Sequence, residues 1–201
     1  AITFISLLHA AEPLIIEKLD GPVTAAEVKA FKSFMREVPV PKDNLRNAMV
    51  YGSGGMAVES LGRVFEISGD RELLDLMLRF TDAMLAGRND PKTGLIVWTG
   101  EREPVWPNSV PKDGQRAYAG TETGDVIGHI VYAARLILQN PSLQNEKVPD
   151  GDPHGFGATY RERAQRYVRE MDHTVDAFVL RWLVREDTLR YFSPDSPAYD
   201  D

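Results

Sequence analysis

There is no cysteine in the chain, which excludes a disulfide framework, a thiolate zinc site and a cysteine nucleophile. Basic charge is also short: 23 Lys and Arg stand against 30 Asp and Glu, for a formal charge of −7. A phosphate-backbone binder shows a basic patch or stripe, whereas here the arginines alternate with Glu and Asp, so nucleic acid is not an expected partner. No apolar run reaches the roughly 18–20 residues of a membrane span, and no membrane partner is expected. The apolar opening, Ala1–Ala11, lacks the positive n-region of a signal peptide and is expected to form an ordered first helix. The first residue is not Met, which fits a processed exported chain or a trimmed one; a periplasmic or secreted location is slightly favoured over a cytoplasmic one.

What is present is enough for one domain spanning 1–201, since 43% of the 201 residues are hydrophobic and nothing in the composition signals disorder. Thr24 and Glu27 form a capping-box pair that should open a helix running to about Val38. Tyr51-Gly-Ser-Gly-Gly55 reads as a flexible entry to a helix over Met56–Ser68, with Ala57, Val58, Leu61, Val64 and Phe65 on its apolar face. Gly69 and Asp70 supply a C-cap and the next N-cap, and a second helix follows over Arg71–Ala86, ended by Gly87. Residues 56–87 therefore predict an antiparallel helical hairpin.

Residues 88–118 change character. Asn89–Gly94 is turn chemistry, Leu95–Trp98 suits a short strand, and Pro104, Pro107 and Pro111 forbid a long helix. Long loops in compact domains are often functional. Next, about 124–139 predicts a helix that is apolar on most of its circumference, with Glu122, Asp125, His129 and Tyr132 at spacings of three and four along one face. A Pro-, Asp- and Gly-rich loop over 140–157 precedes an amphipathic outer helix from Ala158 to about Val184, and Thr188–Phe192 suits a short strand. A Gly-rich entry, an inner helix, a connection and an outer helix thus occur at 52–87 and again at 117–184, the plan of an α/α array. The expected fold class is all-α: helical hairpins with long loops and at most short strands.

The run Gly54-Gly-Met-Ala-Val-Glu-Ser-Leu-Gly-Arg-Val-Phe-Glu-Ile-Ser-Gly-Asp70 and the helix start Tyr160-Arg-Glu-Arg-Ala-Gln-Arg-Tyr167 resemble the six-hairpin glycosidase-like (α/α) toroids, a class of glycoside hydrolases and polysaccharide lyases. The resemblance covers roughly 52–184 and implies an incomplete toroid, with the remaining helices in a missing part of the barrel or in another copy of the chain. It implies an oligo- or polysaccharide substrate, bound at inner-helix N-termini and their loops, and no cofactor.

That groove would gather Trp98, Trp106, Asn108, Arg116, Tyr118, Glu122, Asp125 and His129. A glycoside hydrolase needs one carboxyl as acid and another as base or nucleophile, for which Glu122 and Asp125 are the candidates, differing in solvation at the start of an apolar helix. Against this, an acidic residue in a first helical turn is favoured by the helix dipole alone. In a lyase, Tyr118 or His129 would abstract a proton while Asn108 and Arg116 neutralise a uronate carboxylate. Trp98 and Trp106 would stack on sugar faces, or else anchor the loop. Asp125 and His129 lack a third metal ligand at a diagnostic spacing, so no metal is expected. Glu59 is explained by an i,i+4 pair with Arg63, and Asp172, His173 and Asp176 should face solvent. Without catalysis, the same chain would be a helical-repeat binding or scaffold protein, with its polar line a buried network.

Overall fold

The computed structural model describes residues 23–42, 48–108, 115–185 and 188–189. The helix expected at Ala1–Ala11 lies outside them, as does most of the expected Thr188–Phe192 strand.

Among the described residues five α-helices follow in order: α1 (Ala25–Glu37), α2 (Ala48–Ser68), α3 (Arg71–Ala86), α4 (Glu122–Leu138) and α5 (Tyr160–Thr174). The fold is all-α, as the periodicity predicts. Thr24 and Glu27 close the expected capping box on α1. Gly69, at a positive φ of 65°, turns the chain out of α2, and the Asp70 carboxylate accepts from the Glu72 N–H at 3.1 Å to start α3. The turn therefore folds α3 straight back along α2.

α2 differs from the sequence reading: the helix begins at Ala48 and runs through Gly52, Gly54 and Gly55. Glycine weakens a helix interior by about 1 kcal/mol relative to alanine, so propensity argues for a flexible entry, and packing overrides it. A Cβ at Gly55 would stand 2.1 Å from the His129 ring, and one at Gly62 would stand 2.4 Å from the Tyr132 ring. α4 is seated on α2 at these two positions, closer than any residue with a side chain allows.

α3 is the most deeply embedded helix. Leu73, Leu74, Met77, Phe80 and Met84 are fully buried in one core with Val58 and Leu61 of α2, Val126, Ile130 and Ile137 of α4, and Ala164 and Tyr167 of α5. α5 is fastened to α3 by polar contacts as well: Tyr160 donates to Asp75, and Arg163 and Tyr167 both donate to Asp82. Burial pushes the Tyr160 hydroxyl up to about 12, with Asp75 adding to it, so the phenol remains a donor at physiological pH. Burial raises Asp82 as well, against the opposing pull of Tyr167 and Arg163.

The Thr159–Glu162 spacing forms a second complete capping box, a Thr-x-x-Glu signal legible one residue past the expected start at Ala158. Thr159→Ala is expected to cost about 1 kcal/mol, measured by denaturant unfolding. The Thr159 backbone N–H holds the Glu162 carboxyl below its ordinary range. A carboxylate lowered on folding stabilises above its unfolded pKa and loses that effect as pH falls through the folded value. Melting curves of wild type and Glu162→Gln should accordingly differ at neutral pH and converge at strongly acid pH.

The last helix changes geometry where the sequence predicts continuity: Val175–Leu183 winds as a π-helix. Val184–Arg185 then pairs antiparallel with Thr188–Leu189. The strand expected at Leu95–Trp98 is instead a single parallel bridge between Val97 and Ala117. Among the described residues no helix is long and apolar enough to cross a membrane.

Candidate functional site

The described parts of the segment between α3 and α4, 87–108 and 115–121, are irregular, yet their backbone is pinned on both sides. Asn89 works as a bracket, donating to the carbonyls of Leu95 and Glu103 at 3.0 and 2.9 Å and accepting from the Leu95 N–H at 2.8 Å. Arg88 donates to the Glu170 carbonyl and the Thr174 hydroxyl at 2.7 and 2.9 Å and pairs with the Glu170 carboxylate, tying the segment's start to α5.

Trp98 and Trp106 serve this anchoring, the second of the two roles the sequence leaves open for them. Trp106 is fully buried in the main core, with its indole N–H on the Met84 carbonyl at 2.8 Å. Trp98 donates to the Ala119 carbonyl at 2.8 Å and meets Phe178 and Trp182 edge to face, at 6.3 and 5.7 Å between centroids. It belongs to a second, smaller core with Val97, Val105, Ala117 and Phe178. No ring face remains open for a sugar on Trp106, and Trp98 is nearly as enclosed. Arg116 donates to the Trp98 carbonyl at 3.1 Å, and Tyr118 packs on the same small core, half-buried.

The loop brings one expected residue to the start of α4. The Asn108 backbone N–H reaches the Tyr118 carbonyl at 2.8 Å, and the Asn108 side-chain amide donates to Glu122 Oε1 at 3.0 Å. Glu122 occupies the first turn of α4, where partial positive charge of the helix terminus favours a carboxylate. Its second oxygen, Oε2, is buried and has no hydrogen-bond partner among the described residues, and the same holds for Oδ1 of Asn108. Thr123, which the sequence reading passes over, is fully buried with its hydroxyl oxygen likewise unbonded. Its only signal in sequence is a polar residue on the core-facing line of Val126 and Ile130. Buried polar atoms without partners are rare in native proteins, and each one calls for an explanation.

Asp125 and His129 meet further along the helix. The imidazole Nε2 lies 3.5 Å from Asp125 Oδ1, with the Asp125 side chain 57% exposed and that of His129 only 16%. Beyond them the polar line becomes a network between α2 and α4. Tyr132 donates to Glu66 at 3.0 Å, Arg135 approaches the same carboxylate at 3.5 Å, and Arg63 donates to Glu59 at 2.9 Å. The Arg63 guanidinium lowers the Glu59 carboxyl, which makes Glu59 a paired anion and a poor proton donor. Burial, reinforced by Glu66, raises the Tyr132 hydroxyl far above its usual value. Asp172, His173 and Asp176 are exposed, as expected.

The site thus contains Asn108, Glu122 and the Asp125–His129 pair, without the tryptophans or Arg116. Among the described residues no group of three or more His, Asp or Glu could hold a metal ion. No protein-family model, curated protein or solved structure matches this chain.

Proposed function

We propose that the chain is a carbohydrate-active enzyme of the (α/α) toroid type, acting as a glycoside hydrolase with Glu122 as proton donor and Asp125 as the second carboxylate. The observation that carries this reading is the Glu122 carboxyl: half-buried, fixed through one oxygen by Asn108, and with its other oxygen left unbonded. A general acid needs a held orientation, which the Asn108 bond supplies, and the buried second oxygen would have to be uncovered for a leaving group to reach it. Residues three apart on a helix have Cβ atoms roughly 5–6 Å apart, which suits two carboxyls working across about 5–9.5 Å. Asp125 is the more solvated of the two, and His129 stands beside it.

Two further features support the toroid frame. α2 and α4 pack side by side as inner helices would, and α4 leaves Gly124, Gly128 and Val131 exposed on the flank where the next inner helix of a ring, from this chain or another copy, would lie. The lyase alternative has less support, because Asn108 and Arg116, its carboxylate-neutralising pair, are bonded to Glu122 and to the Trp98 carbonyl. A non-catalytic scaffold reading draws on the satisfied Glu59–Arg63 and Glu66–Tyr132 contacts, but leaves the unbonded Glu122 oxygen unexplained.

The test is hydrolysis of a panel of oligosaccharides by wild type, Glu122→Gln and Asp125→Asn. Glu122→Gln is expected to lower kcat by about 10²–10⁴-fold, the usual contribution of a positioned acid, with little change in melting temperature. Full turnover in that variant would sink the assignment. Release of unsaturated, ultraviolet-absorbing uronates would replace it with the lyase.

A further inference from the structure

We propose that the cleft between α2, α3 and the strip that follows α1 binds a small amphiphilic anion, a carboxylate on an apolar body, with Lys42 meeting the carboxylate. The inference is independent of the hydrolase reading and shares no residue with the Glu122 site. The cavity measures about 360 Å³ and is lined by residues 38–42 of the strip, Ser53 and Gly54 of α2 and Phe80 of α3. The run Val38-Pro-Val-Pro-Lys42 keeps it open. Proline fixes its own φ and drives the residue before it into extended backbone, so alternating prolines make a stiff strip, and Val38 already leaves α1 extended. A stiff strip does not sag into the space beneath it. It is seated at one end, where a Cβ on Gly54 would stand 2.7 Å from Pro41 Cγ; only a bare helix backbone lets that ring approach so closely. Phe80, fully buried, supplies an aromatic wall.

The lining decides what such a space can hold. Sites for small molecules are mostly apolar, with a few polar groups that fix orientation, and here Val38, Val40, the two prolines and Phe80 make the apolar part. At roughly 30 Å³ for a water-sized group, the volume suits a ligand of about ten non-hydrogen atoms. Polarity then names the head. Among the described residues that line the cavity, only Lys42 carries a charge, and no carboxylate shares the lining. Lys42 and Ser53 are both exposed, which puts a compact cation on a flexible stem and a hydroxyl where the cleft meets solvent. An anionic head outside an inserted apolar body therefore meets opposite charge and a donor, whereas a cationic head meets repulsion.

The experiment titrates the full chain with octanoate, octanol and octylammonium by calorimetry at neutral pH and low salt. Octanoate is expected to bind with a Kd of roughly 10–100 µM, in keeping with a ligand of that size. Octanol should bind about three- to fivefold more weakly, the worth of an exposed ion pair, and octylammonium more weakly again. Raised salt should close the gap between octanoate and octanol. Lys42→Met keeps an unbranched apolar stem without the charge, so it should bring octanoate down to the affinity of octanol and leave octanol unchanged. Ser53→Leu places bulk at an exposed position on the lining and should weaken both ligands by at least about tenfold through steric exclusion, with an unchanged melting temperature. Equal affinities for octanoate and octanol, or a Lys42→Met variant that still prefers octanoate, overturn the anionic class. Binding of no probe at millimolar concentration overturns the site, as does binding unmoved in folded Ser53→Leu. None of these outcomes bears on hydrolysis through Glu122, so the two readings fail separately.

Discussion

Arg163→Ala is expected to destabilise the fold by about 3–5 kcal/mol, the cost of breaking a buried ion pair by removing one partner, and to be the most damaging single truncation on α5. Arg163 is fully buried and pairs with Asp82 of α3. It also donates to the carbonyls of Gly151 and Gly157, each at 2.8 Å from Nη2, with Nε adding a second bond to Gly157 at 3.0 Å. One guanidinium therefore closes the 151–157 loop onto the α3–α5 seam. Its loss strands a buried carboxylate and two carbonyls together. Asp82→Ala leaves the cation with Asp152, at 3.4 Å, and removes the acceptor of Tyr167, but leaves the loop carbonyls bonded, so it should cost less. Because the partners share one network, the double variant should cost clearly less than the sum of the two. Denaturant unfolding of the three variants checks this. Arg163→Ala within about 0.5 kcal/mol of wild type, the range of ordinary surface changes, would show that the pair contributes nothing.

That network illustrates what was legible in the sequence and what was not. The capping box at Thr24, the cap at Asp70 and the turn at Gly69 are local signals, readable within four residues, and the structure carries all three. Arg163 and Asp82 lie 81 residues apart; on one strip of sequence each looks like an ordinary charge on an amphipathic helix. The glycines of α2 mislead in the same way, since propensity is local while the demand for a missing Cβ comes from His129 and Tyr132 across the interface. Trp98 and Trp106 sit in a Pro- and Gly-rich stretch, where exposure and anchoring leave the same trace. At the candidate site, Asn108 and Glu122 could each be picked out by residue type, but their bond depends on a loop path that proline positions constrain without specifying. The unbonded oxygens are visible only once burial is known.

Gly55→Ala is the second large effect and has an unusual sign. Alanine is favoured over glycine in a helix interior by about 1 kcal/mol, so α2 alone would gain from the change. In the folded chain the added methyl would stand 2.1 Å from His129 Cδ2 and 2.7 Å from Cγ. The Cγ position is fixed by χ1, so turning the ring about its own axis does not relieve the overlap. His129 must change rotamer and leave Asp125, or α4 must lift away from α2. Forced overpacking of this kind costs about 1–3 kcal/mol, occasionally more, which outweighs the helical gain, and the net is a loss. Adding His129→Ala removes the obstruction, so the double variant should recover stability relative to Gly55→Ala alone and express the helical preference. Gly62→Ala against Tyr132, at 2.4 Å, should behave alike, with the bond from Tyr132 to Glu66 broken in addition. Thermal and denaturant melts of the single and double variants decide the matter. If Gly55→Ala is as stable as wild type and His129→Ala brings no recovery, α4 does not seat on α2 at this glycine, and the packing that holds His129 beside Asp125 loses its support.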